Sequence, residues 1–166
     1  MIQLLGILLM ATLPALSVEA RPLKASDLIG IWAYESAYTE FPDGRRVNQF
    51  GEKPQGLFIL RPNGWYSHIV MADDLPNVAS GLLKEMTPTE AEAIAEGVLA
   101  HFGTYTVDEA RGTFTVTILK SSFPNFDGVT QERTVLDLTH GRLEYVNPVS
   151  SAGDDAKVYA VLRRVN

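Results

Sequence analysis

The 166-residue chain contains no cysteine. That excludes disulfides, a thiol nucleophile, thiolate metal sites and a lipid-modified cysteine at a leader junction. Positive charge is also scarce: Lys and Arg number 14 against 20 Asp and Glu, a formal net charge of −6. No basic stripe is present, so nucleic acid is not expected as a partner. The Gly-x-Ser-x-Gly elbow, the His-Glu-x-x-His pair, the phosphate-cradling glycine loop and the dinucleotide fingerprint are all missing. The histidines are His68, His101 and His140. Two of them on different elements could share a metal, but no spacing demands it, and neither a metal nor a cofactor is expected. There is no internal repeat or low-complexity tract, and the length suits one domain with one core.

What is present begins with an apolar run from Leu4 to Leu16, broken only by Gly6, Thr12 and Pro14. It falls short of the ~18–20 apolar residues that span a bilayer comfortably. Val18 and Ala20 supply small residues at −3 and −1 of a cleavage site. Residues 1–20 therefore read as a secretory signal cut near Ala20, although Met1-Ile2-Gln3 brings no Lys or Arg. An uncleaved anchor and a buried N-terminal segment are the alternatives. On the first reading the domain is 21–166, the mature chain has no membrane span, and its destination is periplasmic or secreted.

The first strand is Leu28–Tyr38, where alternation puts Trp32, Tyr34, Ser36 and Tyr38 on one face. Pro42-Asp43-Gly44 is a turn, and Asn63-Gly64 between Leu57–Arg61 and Trp65–Ala72 signals a hairpin. A two-residue turn there pairs Leu60 with Ser67 and groups Phe58, Leu60, Trp65, Ser67, Ile69 and Met71. The opposite face then carries Tyr66 and His68, and the pattern does not say which face is inward. Thr87-Pro88-Thr89-Glu90 opens a helix with a capping box. Ala91, Ile94, Ala95, Val98, Leu99 and Phe102 continue it at helical spacing to Gly103, with His101 at the edge of the stripe. Period two then returns over Tyr105–Asp108, Thr113–Leu119, Gln131–Leu138, Arg142–Val146 and Lys157–Val165. The fold class is mainly β: an up-and-down antiparallel barrel of about eight strands with one inserted helix.

A set of polar residues is aimed at the interior of such a barrel. Tyr34, Ser36 and Tyr38 come from the first strand, and Ser67 or Tyr66 with His68 from the hairpin. Tyr105 follows the helix, and Asn125, Gln131 and Arg133 come from the Pro-Asn-Phe corner and the strand after it. Apolar walls with a few convergent polar groups are the composition of a ligand pocket. His68, His101, Tyr105 and Arg133 are the candidates for acid–base or charge-stabilising work, with no catalytic residue fixed. An inward Arg133 needs a carboxylate, a phenolate or several carbonyls; outward, it would pair with Glu132 or Glu144.

Taken together, several motifs resemble the lipocalin-like domain proteins of bacteria and fungi. They are Leu28-Ile29-Gly30-Ile31-Trp32 with Ser36, Phe50-Gly51-Glu52-Lys53-Pro54-Gln55-Gly56, Asn63-Gly64 with Ser67, and Phe102-Gly103-Thr104-Tyr105 with Asp108. Phe123-Pro124-Asn125-Phe126 with Gly128, then Gln131, Arg133 and Arg164-Val165, complete the set. The resemblance implies a lipocalin-like barrel closed at one end by Gly30 and Trp32, with Trp32 packed against an Arg of the last strand, Arg164 or else Arg163. It also implies a small-molecule ligand in the interior. Tyr34, Tyr38, His68 and His101 depart from the family pattern.

Three functions fit these residues. The first is an exported barrel that binds a small, partly apolar molecule of aromatic, polyketide-like or terpenoid type. The second is a cofactor-free isomerase, cyclase, hydratase or lyase acting on such a molecule by Tyr/His acid–base chemistry with Arg assistance. The third is an interaction module with a filled barrel.

Overall fold

In a computed structural model, described over residues 23–153 and 155–165, the alternating stretches form nine strands. The leader expected over residues 1–20 lies outside the described residues. A single helical turn, α1 (Ala25–Leu28), enters β1 (Gly30–Glu40). Then follow β2 (Arg46–Val47), β3 (Gln55–Leu60), β4 (Trp65–Met71) and α2 (Pro88–Gly97). The rest is β5 (Val98–Asp108), β6 (Thr113–Ser121), β7 (Thr130–Leu138), β8 (Arg142–Asn147) and β9 (Lys157–Val165).

From β3 onward each strand pairs antiparallel with the next, and β1 pairs with β3 on one side and β9 on the other. That second pairing closes the sheet. β2 is only a two-residue clip on the end of β1, so the wall is an eight-stranded up-and-down barrel without an open long edge. Among the described residues, no helix is long and apolar enough to cross a membrane.

One half of the barrel is filled. Trp32, Phe58, Leu60, Tyr66, Phe114, Val116, Leu143 and Leu162 pack together there with Leu28 from α1. At that end the Arg164 guanidinium lies 4.1 Å from the Trp32 ring centroid. It donates to the carbonyls of Ile29 (2.8 Å), Asp27 (2.5 Å) and His140 (3.0 Å), while Trp32 Nε1 donates to Leu28 O (2.8 Å). Gly30 passes so close that a Cβ there would collide with Arg164 Nη1. Arg163, the other arginine of the pair, faces outward near Glu35 at 3.7 Å.

Three local features differ from the expectations above, and each moves residues relative to the interior. The first is a bulge in β1: Tyr34 pairs with Leu162 and Ser36 with Val161, so Glu35 is an extra residue. An inserted residue inverts the alternation beyond it. Trp32 and Tyr34 face inward, but Ala37 and Thr39 follow them there, and Ser36 and Tyr38 are turned outward. Tyr38 stacks on Tyr159, centroids 4.9 Å apart, beneath the Arg46 guanidinium.

The second is the hairpin. Its loop has three residues: Arg61 N bonds to Trp65 O (2.9 Å), Gly64 N to Arg61 O (3.1 Å), and Gly64 has φ 78°. This is a type I turn with Pro62 at its second position and a left-handed glycine after it. The register therefore shifts by one from the two-residue expectation. Leu60 pairs with Tyr66 and Phe58 with His68, all inward, and Ser67 is exposed.

The third is α2. The capping box of Thr87 and Glu90 forms, but the helix ends at Gly97, six residues before the expected Gly103. Val98 is already extended (φ −132°, ψ 123°), and Leu99–Gly103 belong to β5. Sheet hydrogen bonding to β4 claims these residues over the helical reading. His101 thereby moves from a helix edge into the barrel wall.

Candidate functional site

The other half of the barrel holds a small cavity of about 40 Å³ at the end opposite Trp32. Its apolar lining comes from Ala37, Phe50, Val70, Leu99, Phe126, Val149 and Val158. Its polar lining is Tyr34 of β1, His68 of β4, His101 of β5, Gln131 and Arg133 of β7, and Tyr145 and Asn147 of β8, with Gln49, Ser150 and Ser151 from loops. Six strands thus deliver one side chain or more, each because its inward positions fall on the period-two face.

The polar groups form one connected chain. Tyr34 OH is 2.5 Å from His68 Nε2 and 3.0 Å from Tyr145 OH. Arg133 Nη1 donates to Tyr145 OH at 3.5 Å and Nη2 to Gln131 Oε1 at 3.3 Å. Asn147 Nδ2 donates to that same Gln131 oxygen at 3.1 Å. Alongside, His101 Nδ1 meets Tyr66 OH at 2.9 Å.

Arginine only donates, and we assign the rest of the chain to run on from it in one direction. Tyr145 accepts from Arg133, so its own proton points to Tyr34, whose proton in turn points to His68 Nε2. We accordingly assign His68 the tautomer with hydrogen on Nδ1.

Burial dominates the electrostatics. Desolvation, then His101, then Arg133 hold His68 well below the ordinary imidazole range. Desolvation and Arg133 lower His101 to about 3. Both rings are neutral near neutral pH. Desolvation also raises Tyr34 well above the usual phenol value and Tyr66 to about 12. The fixed charge of the cluster is thus the guanidinium of Arg133.

Four buried side-chain polar atoms among the described residues have no partner, and three belong to this cluster: His68 Nδ1, Gln131 Nε2 and Arg133 Nε. Arg133 has no ion pair among the described residues. Glu132 is held outside by Arg111 through two bonds of 2.8 Å, and Glu144 by Arg142 at 2.8 Å. Aromatic rings surround the guanidinium instead, with Phe58 at 5.2 Å, Tyr145 at 5.3 Å and Phe114 at 5.9 Å.

Of the residues predicted from sequence, Tyr34, His68, His101, Gln131 and Arg133 come together here. Ser36, Tyr38 and Ser67 do not, for the bulge and register reasons given above. Tyr105 donates its hydroxyl to Arg61 O at 2.8 Å, in the direction of the hairpin loop, and is not part of the lining. Asn125 is exposed on a one-turn helix, Pro124–Phe126, whose Phe126 lines the cavity in its place. Tyr145 and Asn147 were missed. Their signal was available: charged Arg142 and Glu144 alternate with Leu143, Tyr145 and Asn147, which leaves the latter three as the inward face.

No cluster of three or more His, Cys, Asp or Glu able to hold a metal ion occurs among the described residues. The polar cluster can donate hydrogen bonds and hold a fixed positive charge.

Residues 29–164 match the family model of a lipocalin-like domain. No curated protein matches the sequence. Similar solved structures include a redesigned β-barrel, 14% identical, covering 89% of this chain and 100% of that one with a TM-score of 0.45. A biogenic amine-binding protein, as its selenomethionine derivative, is 13% identical and covers 88% of this chain and 68% of that one, with a TM-score of 0.46.

Proposed function

The chain belongs to the lipocalin-like domain family, and from that premise we propose that it binds a small, partly apolar molecule in the open half of its barrel. The observation that carries this reading is the division of the cavity lining. Phe50, Leu99, Phe126, Val149 and Val158 supply an apolar surround, and Arg133, Gln131 and His68 contribute buried polar atoms that the described residues leave unpartnered. A barrel evolved only to be filled has no use for such atoms, each of which costs about 1–3 kcal/mol. Fold membership alone does not carry the reading, since filled and hollow barrels share a wall. A volume of about 40 Å³ receives a ligand's polar end, and the rest of an aromatic, polyketide-like or terpenoid molecule needs the segments around Phe50 and Val149 to move aside.

The test is mass spectrometry of protein purified from its native host, under conditions that keep non-covalent partners bound. The expected result is a small-molecule adduct released on denaturation. Protein that carries no adduct and binds no member of a panel of small aromatic and terpenoid compounds overturns the reading. The same spectrum tests export: loss of residues 1–20 is expected.

A second reading, a cofactor-free isomerase, cyclase, hydratase or lyase, is favoured by one observation, the 2.5 Å contact of Tyr34 with a neutral His68 inside the cavity. Tyr34 would take a proton from the substrate as it passes its own to His68 Nε2, with Arg133 beside a developing enolate. Recovery of a chemically altered ligand, lost in Tyr34→Phe, separates this from binding alone.

A further inference from the structure

We infer that the ligand is a small monocarboxylate whose carboxylate lies against Arg133 and supplies the counter-charge that the described residues do not. This rests on the binding role proposed above and names the chemistry at its polar end.

Arg133 is 3% exposed and carries five N–H donors. Two of them reach neutral acceptors, at 3.5 and 3.3 Å, both beyond the 2.7–3.2 Å common for N–H···O bonds, and Nε reaches none. The aromatic faces around the guanidinium offset part of its desolvation, yet they take none of its N–H groups in plane. A buried cation in that state is incomplete.

The neighbouring groups agree in sign. Gln131 Oε1 is taken by Arg133 and Asn147, so its amide end, Nε2, is left with its hydrogens unspent. With the hydrogen-bond chain running from Arg133 through Tyr145 and Tyr34, the free atom of His68 is an N–H as well. Arg133 Nε and Gln131 Nε2 are thus donors by their chemistry, and His68 Nδ1 is one in the tautomer assigned above. Donors beside a fixed positive charge select an anion with acceptor oxygens and reject an amine. A carboxylate matches the guanidinium fork, and its second oxygen is available to Gln131 or His68.

The experiment is calorimetric titration of the full chain at about pH 7 with benzoate and hexanoate, and with their neutral amides benzamide and hexanamide. Each acid is expected to bind about ten-fold or more tightly than its amide. Arg133→Gln is expected to erase that preference, and Arg133→Lys to retain part of it. Should Arg133→Gln fail to fold, the acid-to-amide ratio in the unaltered protein decides alone. Acids and amides that bind equally well overturn the anion assignment and leave the binding role standing. If none of the four binds and host-purified protein carries no adduct, both fall.

Discussion

His68 and His101 occupy paired positions on β4 and β5, and their rings stack with centroids 4.3 Å apart and planes 22° from parallel. The groups that face them are Tyr34, Tyr66 and Arg133, none of which gains a proton in mild acid. In the unfolded chain both imidazoles titrate near about 6.5. In the fold burial first, then the Arg133 charge, lower His101 to about 3, and His68 shifts in the same direction. Below about pH 6.5 the unfolded state thus binds protons that the folded state refuses. Stability from this pair is complete above that pH and is lost as pH falls toward the folded values. Each histidine contributes a slope of up to about 1.4 kcal/mol per pH unit. Urea unfolding at about pH 7, 6 and 5 should show His101→Gln with the shallower dependence. An unchanged slope would mean that the ring protonates inside the barrel.

Trp32 is fully buried under Arg164 and bonded to Leu28 O. Trp32→Ala is expected to cost about 3–5 kcal/mol, measured by chemical denaturation. A loss below about 1 kcal/mol would show that this end is not where the core is closed.

Tyr34→Phe takes the central hydroxyl out of the His68–Tyr34–Tyr145 chain. It leaves His68 Nε2 without its acceptor role and Tyr145 with one partner fewer, for an expected cost of about 1–3 kcal/mol. Nitrogen chemical shifts of His68 provide a separate check. Hydrogen on Nδ1 is expected in the unaltered protein, and hydrogen on Nε2 would reverse the direction assigned to the chain.

Gly64 holds φ 78° in the hairpin loop, and a Cβ there meets only Tyr105 O at an ordinary 3.6 Å. Gly64→Ala therefore pays in backbone conformation alone, about 1–2 kcal/mol, and Gly64→Asn less. Equal stability of all three would be inconsistent with the left-handed turn that puts His68 inside.

The strands were legible because turn residues such as Pro42-Asp43-Gly44 and Thr139-His140-Gly141 bracket stretches of clear period two. The site was legible only in part. Val98 to Gly103 reads at either period, and pairing with β4 decides it, a contact the local sequence does not contain. In the hairpin, Asn63-Gly64 suggested a two-residue turn, whereas Pro62, with φ preset for the second position of a type I turn, was the better guide. Arg133 stood beside Glu132, with Glu144 on the next strand, so charge pattern alone did not place it. The bulge at Glu35 had no local signal, because it exists only in the register of β1 against β9.

That bulge has a consequence for how the open half of the barrel came to be open. With unbroken alternation, Ser36 and the phenol of Tyr38 would project inward where Ala37 and Thr39 now stand, and Tyr38 would occupy space beside Val158. One supernumerary residue thus trades a plug for a vacancy. A single-codon deletion at Glu35 should therefore remove the bulge and keep this facing, because alternation then runs Tyr34 in, Ser36 out, Ala37 in and Tyr38 out against the same partners on β9. Which side chains stand at this end of the interior is thus decided by the register of β1 against β9 and not by composition.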